Sequence, residues 1–341
     1  MILTLGEIML RLKSPGKEKL LQTPNFEISY GGGEANVAVG LSRLGHRAVF
    51  ASVLPSGPLA EGVQNHLRAQ GVINRIHEGP GRLGLYFLQE GGAQRPSKVF
   101  YDREFSAFSL TQVSDWNWDE TFDGIHWLHL TGITPALSQS CLELTEEALN
   151  QAAERKVLVS LDLNFRRNLW KYGKRATAVM PQLLDRVDWL IANEEDLQNS
   201  LGLTLDSNLD VEKGEIDIDA YKLLGKKLLK MHPNLRGLGI TLRESLNADH
   251  NRWSGMLITP KEVTTSRVYD IYPIVDRVGA GDAFCSGLIA KLISGASEQE
   301  TLDYAVAVSC LKHSIKGDQA LIDPQDVETL LGGDESGRVQ R

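Results

Sequence analysis

Cysteine is scarce in this chain. Only Cys141, Cys285 and Cys310 occur in 341 residues, far apart and in no C-x-x-C arrangement. That excludes a disulfide-stapled scaffold and a zinc knuckle, and makes a reducing cytoplasm the simplest home. No apolar run is long enough to cross a bilayer. Residues 1–12 are apolar, yet they lack a basic leader, carry Glu7 and offer no small-residue cleavage site, so they predict a strand and not an export signal. Runs of one charge sign are missing too. With 36 Lys plus Arg against 44 Asp plus Glu, the formal charge is -8, which makes nucleic acid and anionic membrane poor partners. Internal repeats, low-complexity segments and a G-x-x-x-x-G-K-[ST] phosphate loop are likewise absent. The run Gly79 to Gly84 matches G-x-G-x-x-G, but it contains Pro80 and leads into a strand, so a dinucleotide reading fails its context.

What is present is an alternation of strand and helix patterns. A buried strand is expected over 2–12, a helix over 34–44, a strand over 48–54 and a helix over 60–70. The rhythm returns with strands near 127–130, 157–163, 189–192 and 237–241, helices near 141–153 and 221–231, a strand pair at 252–258 and 262–268, and an apolar helix at 283–292. Such alternation predicts an α/β domain with a mostly parallel central sheet flanked by helices. Residues 84–103 break the pattern with two short strands and no helix between them, a hairpin suited to a lid. The expected organisation is one domain over 1–335, with lid segments around 9–30 and 84–105 and a frayed tail at 336–341. Residues 202–218, acidic and loop-like, are expected to be variable.

Two glycine runs carry the chemistry. Gly279, Ala280 and Gly281 stand just before the apolar helix, where backbone N–H groups and the helix dipole make an anion site. Asp282 follows, placed to take a proton from an acceptor hydroxyl. A carboxylate at a helix start is expected to have a low pKa and to be a weak base. The alternative is close helix packing with Asp282 as a cap. The run Gly31-Gly32-Gly33 also opens a helix, either to let a ligand approach or as an ordinary turn, and Asn36 one turn later can read sugar hydroxyls. Asp162, Asn164 and Arg166 alternate where a strand ends, the usual site position in open α/β sheets, and Arg166 suits a carboxylate. The acidic run from Asn193 to Asp196 follows another strand and fits either hydrated magnesium or a solvated helix start. His126 and His129, three apart on a strand, point to opposite faces and are not expected to share a metal.

Together the two runs resemble the signatures of the ribokinase-like (PfkB) carbohydrate kinases, at residues 32–38 with Leu44-Gly45 and at 276–284. Arg277 stands where that pattern has threonine. Residues 6–12, 101–103, 241–245 and 312–318 further resemble the 2-keto-3-deoxygluconate kinases. The resemblance implies a ribokinase-like fold, ATP and Mg2+, a small sugar or sugar acid as partner, and a homo-oligomer, taken as a dimer. It implies that Gly32, Gly33, Asn36, Tyr86, Tyr101, Arg103, Arg166, Asp282 and Asp318 line the substrate site, with both arginines on the acid carboxylate. Asn164, Asn193, Thr241, Arg243, Gly279, Gly281 and His313 would surround ATP. Asp282 would be the base, with the N–H groups of Gly279, Ala280 and Gly281 stabilising the anion. Asp196 closes a magnesium motif that ends in glutamate elsewhere in the family. A neutral-sugar kinase and an inactive sugar sensor are the alternatives.

Overall fold

The computed structural model describes residues 1–193, 195–203 and 217–333. Most of the expected variable loop, 204–216, and the expected tail, 336–341, lie outside the described residues. The chain begins with β1 (Ile2–Leu5), β2 (Met9–Lys13), β3 (Glu27–Gly31), α1 (Gly33–Arg43), β4 (Ala48–Leu54), α2 (Pro58–Ala69) and β5 (Ile73–Glu78). β6 (Leu85–Gln89) and β7 (Lys98–Asp102) interrupt the alternation. It resumes with α3 (Trp118–Phe122), β8 (Trp127–Thr131), α4 (Thr134–Leu137), α5 (Gln139–Glu154), β9 (Leu158–Asp162), α6 (Ala176–Leu183), β10 (Trp189–Asn193), α7 (Asp196–Leu201) and α8 (Ile218–Met231). β11 (Gly237–Asn247), β12 (His250–Ile258), β13 (Val263–Thr265) and β14 (Tyr269–Ile271) precede α9 (Ala280–Ser294), α10 (Glu298–Lys312) and α11 (Pro324–Leu331). No helix among the described residues is long and apolar enough to cross a membrane.

The main sheet runs β13-β12-β11-β10-β9-β8-β1-β4-β5, with β14 on β12. From β11 to β5 every pairing is parallel, and β12 and β13 add antiparallel strands at one side. Helical crossovers cover both faces of a parallel sheet, which is why β4 is buried from Ala48 to Leu54. Side chains alternate between two cores. Leu190 joins the cluster around α5 and α8, whereas its neighbour Ile191 joins the one around α1, α9 and α10. Truncating such a fully buried leucine to alanine costs about 2–5 kcal/mol.

Two expectations from the sequence need correction. The segment 2–12 is not one strand: β1 belongs to the main sheet and β2 to a second, four-stranded sheet, β3-β2-β6-β7. The chain turns at Gly6, where a Cβ would stand 2.2 Å from the Glu34 carboxylate. The two segments expected around 9–30 and 84–105 pair in this one sheet, whose edge strand β7 is exposed throughout. β5 has no counterpart among the expected strands, because Ile73-Asn74-Arg75-Ile76-His77-Glu78 is a polar edge strand with little apolar signal. Strand order places the site. The chain leaves β1 for β4 and β5 on one side and returns to β8 on the other, so a crevice opens at the carboxyl ends of these strands.

Candidate active site

A cavity of about 350 Å³ occupies that crevice beneath the lid. Gly32, Gly33 and Asn36 reach it from the start of α1, and Tyr86, Tyr101 and Arg103 from the lid. Asn164 and Arg166 follow β9, Asn193 and Asp196 adjoin the end of β10, and Thr241 and Arg243 lie on β11. Gly279, Ala280, Gly281 and Asp282 form the opening of α9, while His313 and Asp318 follow α10. The structure thus brings every residue that the resemblance assigns to sugar or nucleotide to one wall or another of a single space.

The two glycine-led helices meet at its centre. Gly279 is the N-cap of α9 with φ 83, in the left-handed region, and no side chain caps the helix. The cap alternative for Asp282 fails: the residue lies in the first turn, and its Oδ2 accepts from Asn36 Nδ2 at 2.7 Å across the cavity. The expected low pKa fails as well. Burial pushes the Asp282 carboxyl up to about 6, against the Asn36 hydrogen bond and the Arg166 charge that hold it down. Loss of water outweighs the helix field, and the residue becomes a better base than its position in the sequence suggests.

Asp162, to which the sequence pattern assigns no specific role, is 6% exposed and lies beside this pair. Burial, then the charges of Asp196 and Asp282, push its carboxyl well above the usual range. Asn164 turns back on it, donating its N–H at 3.2 Å and its Nδ2 at 3.1 Å, from a left-handed backbone with φ 39 that asparagine tolerates. Asp196 is equally buried. Its oxygens accept the N–H groups of Phe165 at 3.0 Å and Asn193 at 2.9 Å, so it ties together the loops that follow β9 and β10. Glu34 does similar work for α1, accepting from the Thr131 N–H, the Thr131 hydroxyl at 2.7 Å and the Thr134 hydroxyl.

Arg103 has a partner that the sequence does not announce. Arg103 is buried and paired with Glu7, whose Oε2 accepts from Nε at 2.8 Å, so its charge is already answered inside the protein. Arg166 opens onto the cavity, where Tyr101, Asp196, Asp282 and Asp162 act on it through space. Asp318 lines the cavity, yet both its oxygens are engaged, one by Arg11 Nη1 and the other by the Tyr86 hydroxyl. Arg277 donates to the carbonyls of Asn247 at 3.0 Å and Ala248 at 2.5 Å, which anchors it to the β11–β12 turn.

The pattern of the pfkB family carbohydrate kinases matches residues 1–218 and 254–325. The chain belongs to that family. The 2-dehydro-3-deoxygalactonokinase of Haloferax volcanii is 31% identical over 98% of each chain. The 2-dehydro-3-deoxygluconokinase of Thermoproteus tenax is 27% identical over 97% of this chain and 94% of its own. Among solved structures, the 2-dehydro-3-deoxygluconokinase of Thermotoga maritima matches with a TM-score of 0.91 and 41% identity, covering 97% of this chain and 98% of that one. The fold is ribokinase-like, and the protein is a carbohydrate kinase that transfers a phosphoryl group from ATP to a sugar hydroxyl.

The cavity suits the triphosphate. A Cβ built on Gly281 meets nothing within 4 Å, leaving open space against the uncapped start of α9. Among the described residues no group of three or more His, Cys, Asp or Glu side chains is placed to hold a metal ion. A divalent ion that arrives on phosphate oxygens and keeps much of its water, the habit of magnesium, would fit there without such a cluster.

Proposed function

We propose that this kinase phosphorylates the terminal hydroxyl of 2-keto-3-deoxygluconate or a close sugar acid, giving the 6-phospho acid. The observation that carries the acid assignment is Arg166, a guanidinium open to the same cavity as Asp282, with a geometry suited to a carboxylate. The activities named for relatives that match over nearly the whole chain support it. Asp282 takes the hydroxyl proton as the sugar oxygen bonds to the γ-phosphorus and the bond from that phosphorus to the bridging oxygen breaks, releasing ADP, while Asn36 holds the carboxylate on line. The N–H groups at Gly279, Ala280 and Gly281 bind the phosphoryl oxygens, and Tyr86 and Tyr101 close the lid side against water. Bound with the nucleotide, magnesium would supply neutralisation of phosphate charge, and Asn193 and Asp196 are the residues that would hold it. The remaining predicted residues, Asn164, Thr241, Arg243 and His313, surround the nucleotide.

Release of ADP measured over a panel of sugar acids, ketoses and nucleosides tests the assignment. The 2-keto-3-deoxy acids should turn over fastest; turnover confined to neutral ketoses removes it. The Glu7–Arg103 pair favours the second reading, a neutral-sugar kinase, because it leaves one lid cation fewer for an acid. Arg166→Met separates the two. It should raise KM for the acid by about tenfold or more while leaving a neutral sugar within about twofold.

The lid also has an outer face that points to a partner. Register aligns Ile28, Leu12, Phe87 and Phe100 in one apolar row across its four strands, with Ile28 64% and Phe100 49% exposed. We propose that a second copy of the chain covers this row, since a self-complementary apolar sheet face suits a two-fold dimer. Phe100→Glu should convert a dimer to a monomer in sedimentation; an unchanged mass removes the proposal.

A further inference from the structure

One side chain that the chemistry above does not use links the lid to the anion site. Arg11 lies in the middle of β2, 1% exposed and away from the cavity wall. Its Nη2 donates to Asp276 Oδ2 at 2.6 Å, and its Nη1 to Asp318 Oδ1. Strand register sets Arg11 beside Tyr86 of β6, whose hydroxyl donates to the second Asp318 oxygen. Gly31 of β3 leaves room for this contact, because a Cβ there would stand 2.2 Å from Asp318 Oδ2.

Both carboxylates belong to the loops that shape the start of α9. Asp276 Oδ1 accepts the Val278 N–H at 3.1 Å, and its Oδ2 accepts the Gly317 N–H at 3.1 Å, so one side chain braces the two loops. Lys312, also fully buried, donates to the Asp276 carbonyl at 3.3 Å and to the Ile315 carbonyl at 3.0 Å. The Asp318 carbonyl stands where a Cβ on Gly279 would fall, 1.8 Å away, so these loops touch at the helix cap itself. Arg11 and Lys312 balance Asp276 and Asp318. Removing Arg11 leaves buried negative charge in excess, which the loops relieve by parting or by taking up protons.

We propose that Arg11 is a positioning residue for phosphoryl transfer, tying the seating of the lid on the sugar to the shape of the phosphate site at α9. The inference rests on α9 as that site. A sugar that fixes the lid then fixes the loops, and by linkage ATP fixes the lid in return, so the two substrates bind cooperatively.

The test is calorimetric. Affinity for a non-hydrolysable ATP analogue is measured with and without a saturating amount of the best sugar from the panel, in the wild type, Arg11→Met, Arg11→Lys and Gly281→Ala. In the wild type the sugar should tighten the analogue by about fivefold or more. In Arg11→Met that factor should fall to within about twofold of none, with kcat down by about tenfold. Arg11→Lys keeps the charge without the fork and should fall between; if the methionine variant does not fold, the lysine variant carries the test. Coupling intact in a folded Arg11 variant overturns the proposal, even where Tm falls, and so does a wild type without coupling. Analogue affinity unchanged in Gly281→Ala overturns the reading of α9 instead.

Discussion

The helices α1 and α9 both start on glycine with no side-chain cap, yet the glycines serve different ends. At α1 they make room for protein. A Cβ on Gly32 would stand 2.1 Å from the Glu7 carbonyl, and one on Gly33 3.2 Å from Thr131. Gly32 has φ 173, an extended backbone open to any residue, so crowding alone selects glycine there. At α9 the needs divide: Gly279 is left-handed and pressed on the Asp318 carbonyl, while Gly281 faces empty space. A glycine with nothing to avoid in the protein is the one that leaves space for a ligand. Similar sequence thus conceals a crowded start and an open one, joined by the Asn36–Asp282 hydrogen bond.

The strongest way to break this contrast is Asp282→Asn. If α9 is the reactive start, kcat falls by about 10³ or more while ATP affinity holds, as single-turnover kinetics and calorimetry would show. A loss below about tenfold would make α9 as structural as α1. Next come the glycines. Gly32→Ala should destabilise by ~3 kcal/mol through backbone collision, seen in denaturant unfolding. Gly281→Ala should unfold like the wild type yet raise KM for ATP by about tenfold. Equal stability losses would erase the distinction.

A third measurement is the pH profile. With Asp282 near 6 and required as the ionised form, kcat/KM should rise about tenfold per pH unit below 6 and level off above it. Asn36 donates to the ionised carboxylate and favours it, so Asn36→Leu should move that limb to higher pH; a limb that stays put would detach α1 from the base. The smallest effect concerns stability. The folded value near 6 exceeds the ordinary 3.8, so the native state binds the proton more tightly and loses stability as pH rises between them. Above pH 6 the ionised group costs about 1 kcal/mol once water in the open cavity is allowed for. Asp282→Asn should therefore raise Tm by about 1–2 °C at pH 8 and have much less effect at pH 4.

Much of this architecture is legible in the amino-acid sequence. Strand and helix alternate because crossovers bury both faces of a parallel sheet, and that leaves long periodic signals such as Ala48 to Leu54. Residues at strand ends and helix starts, Asn164, Arg166 and the Gly279 to Asp282 run, can be placed for the same reason. Burial of charge cannot. Arg11 in Met9-Leu10-Arg11-Leu12 looks like the polar face of a strand until β2 is known to join the lid, where that face turns inward. The Glu7–Arg103 pair spans 96 residues and has no local signature. The sequence misleads on the pKa of Asp282 because a helix field is local, whereas desolvation depends on every element around the cavity.

The bond between Asn36 and Asp282 joins residues 246 positions apart, and this bears on how the enzyme is made. A ribosome that has released the chain as far as β12 has delivered all the parallel strands of the main sheet and the whole second sheet, but neither Asp282 nor the glycine turn before it. With Asp282 as the base, an unfinished chain would have nothing to take the sugar's proton. Activity would await the packing of α9 against α1 and of the loop that carries Asp318, a closure across most of the chain and costlier in entropy than the local pairings before it.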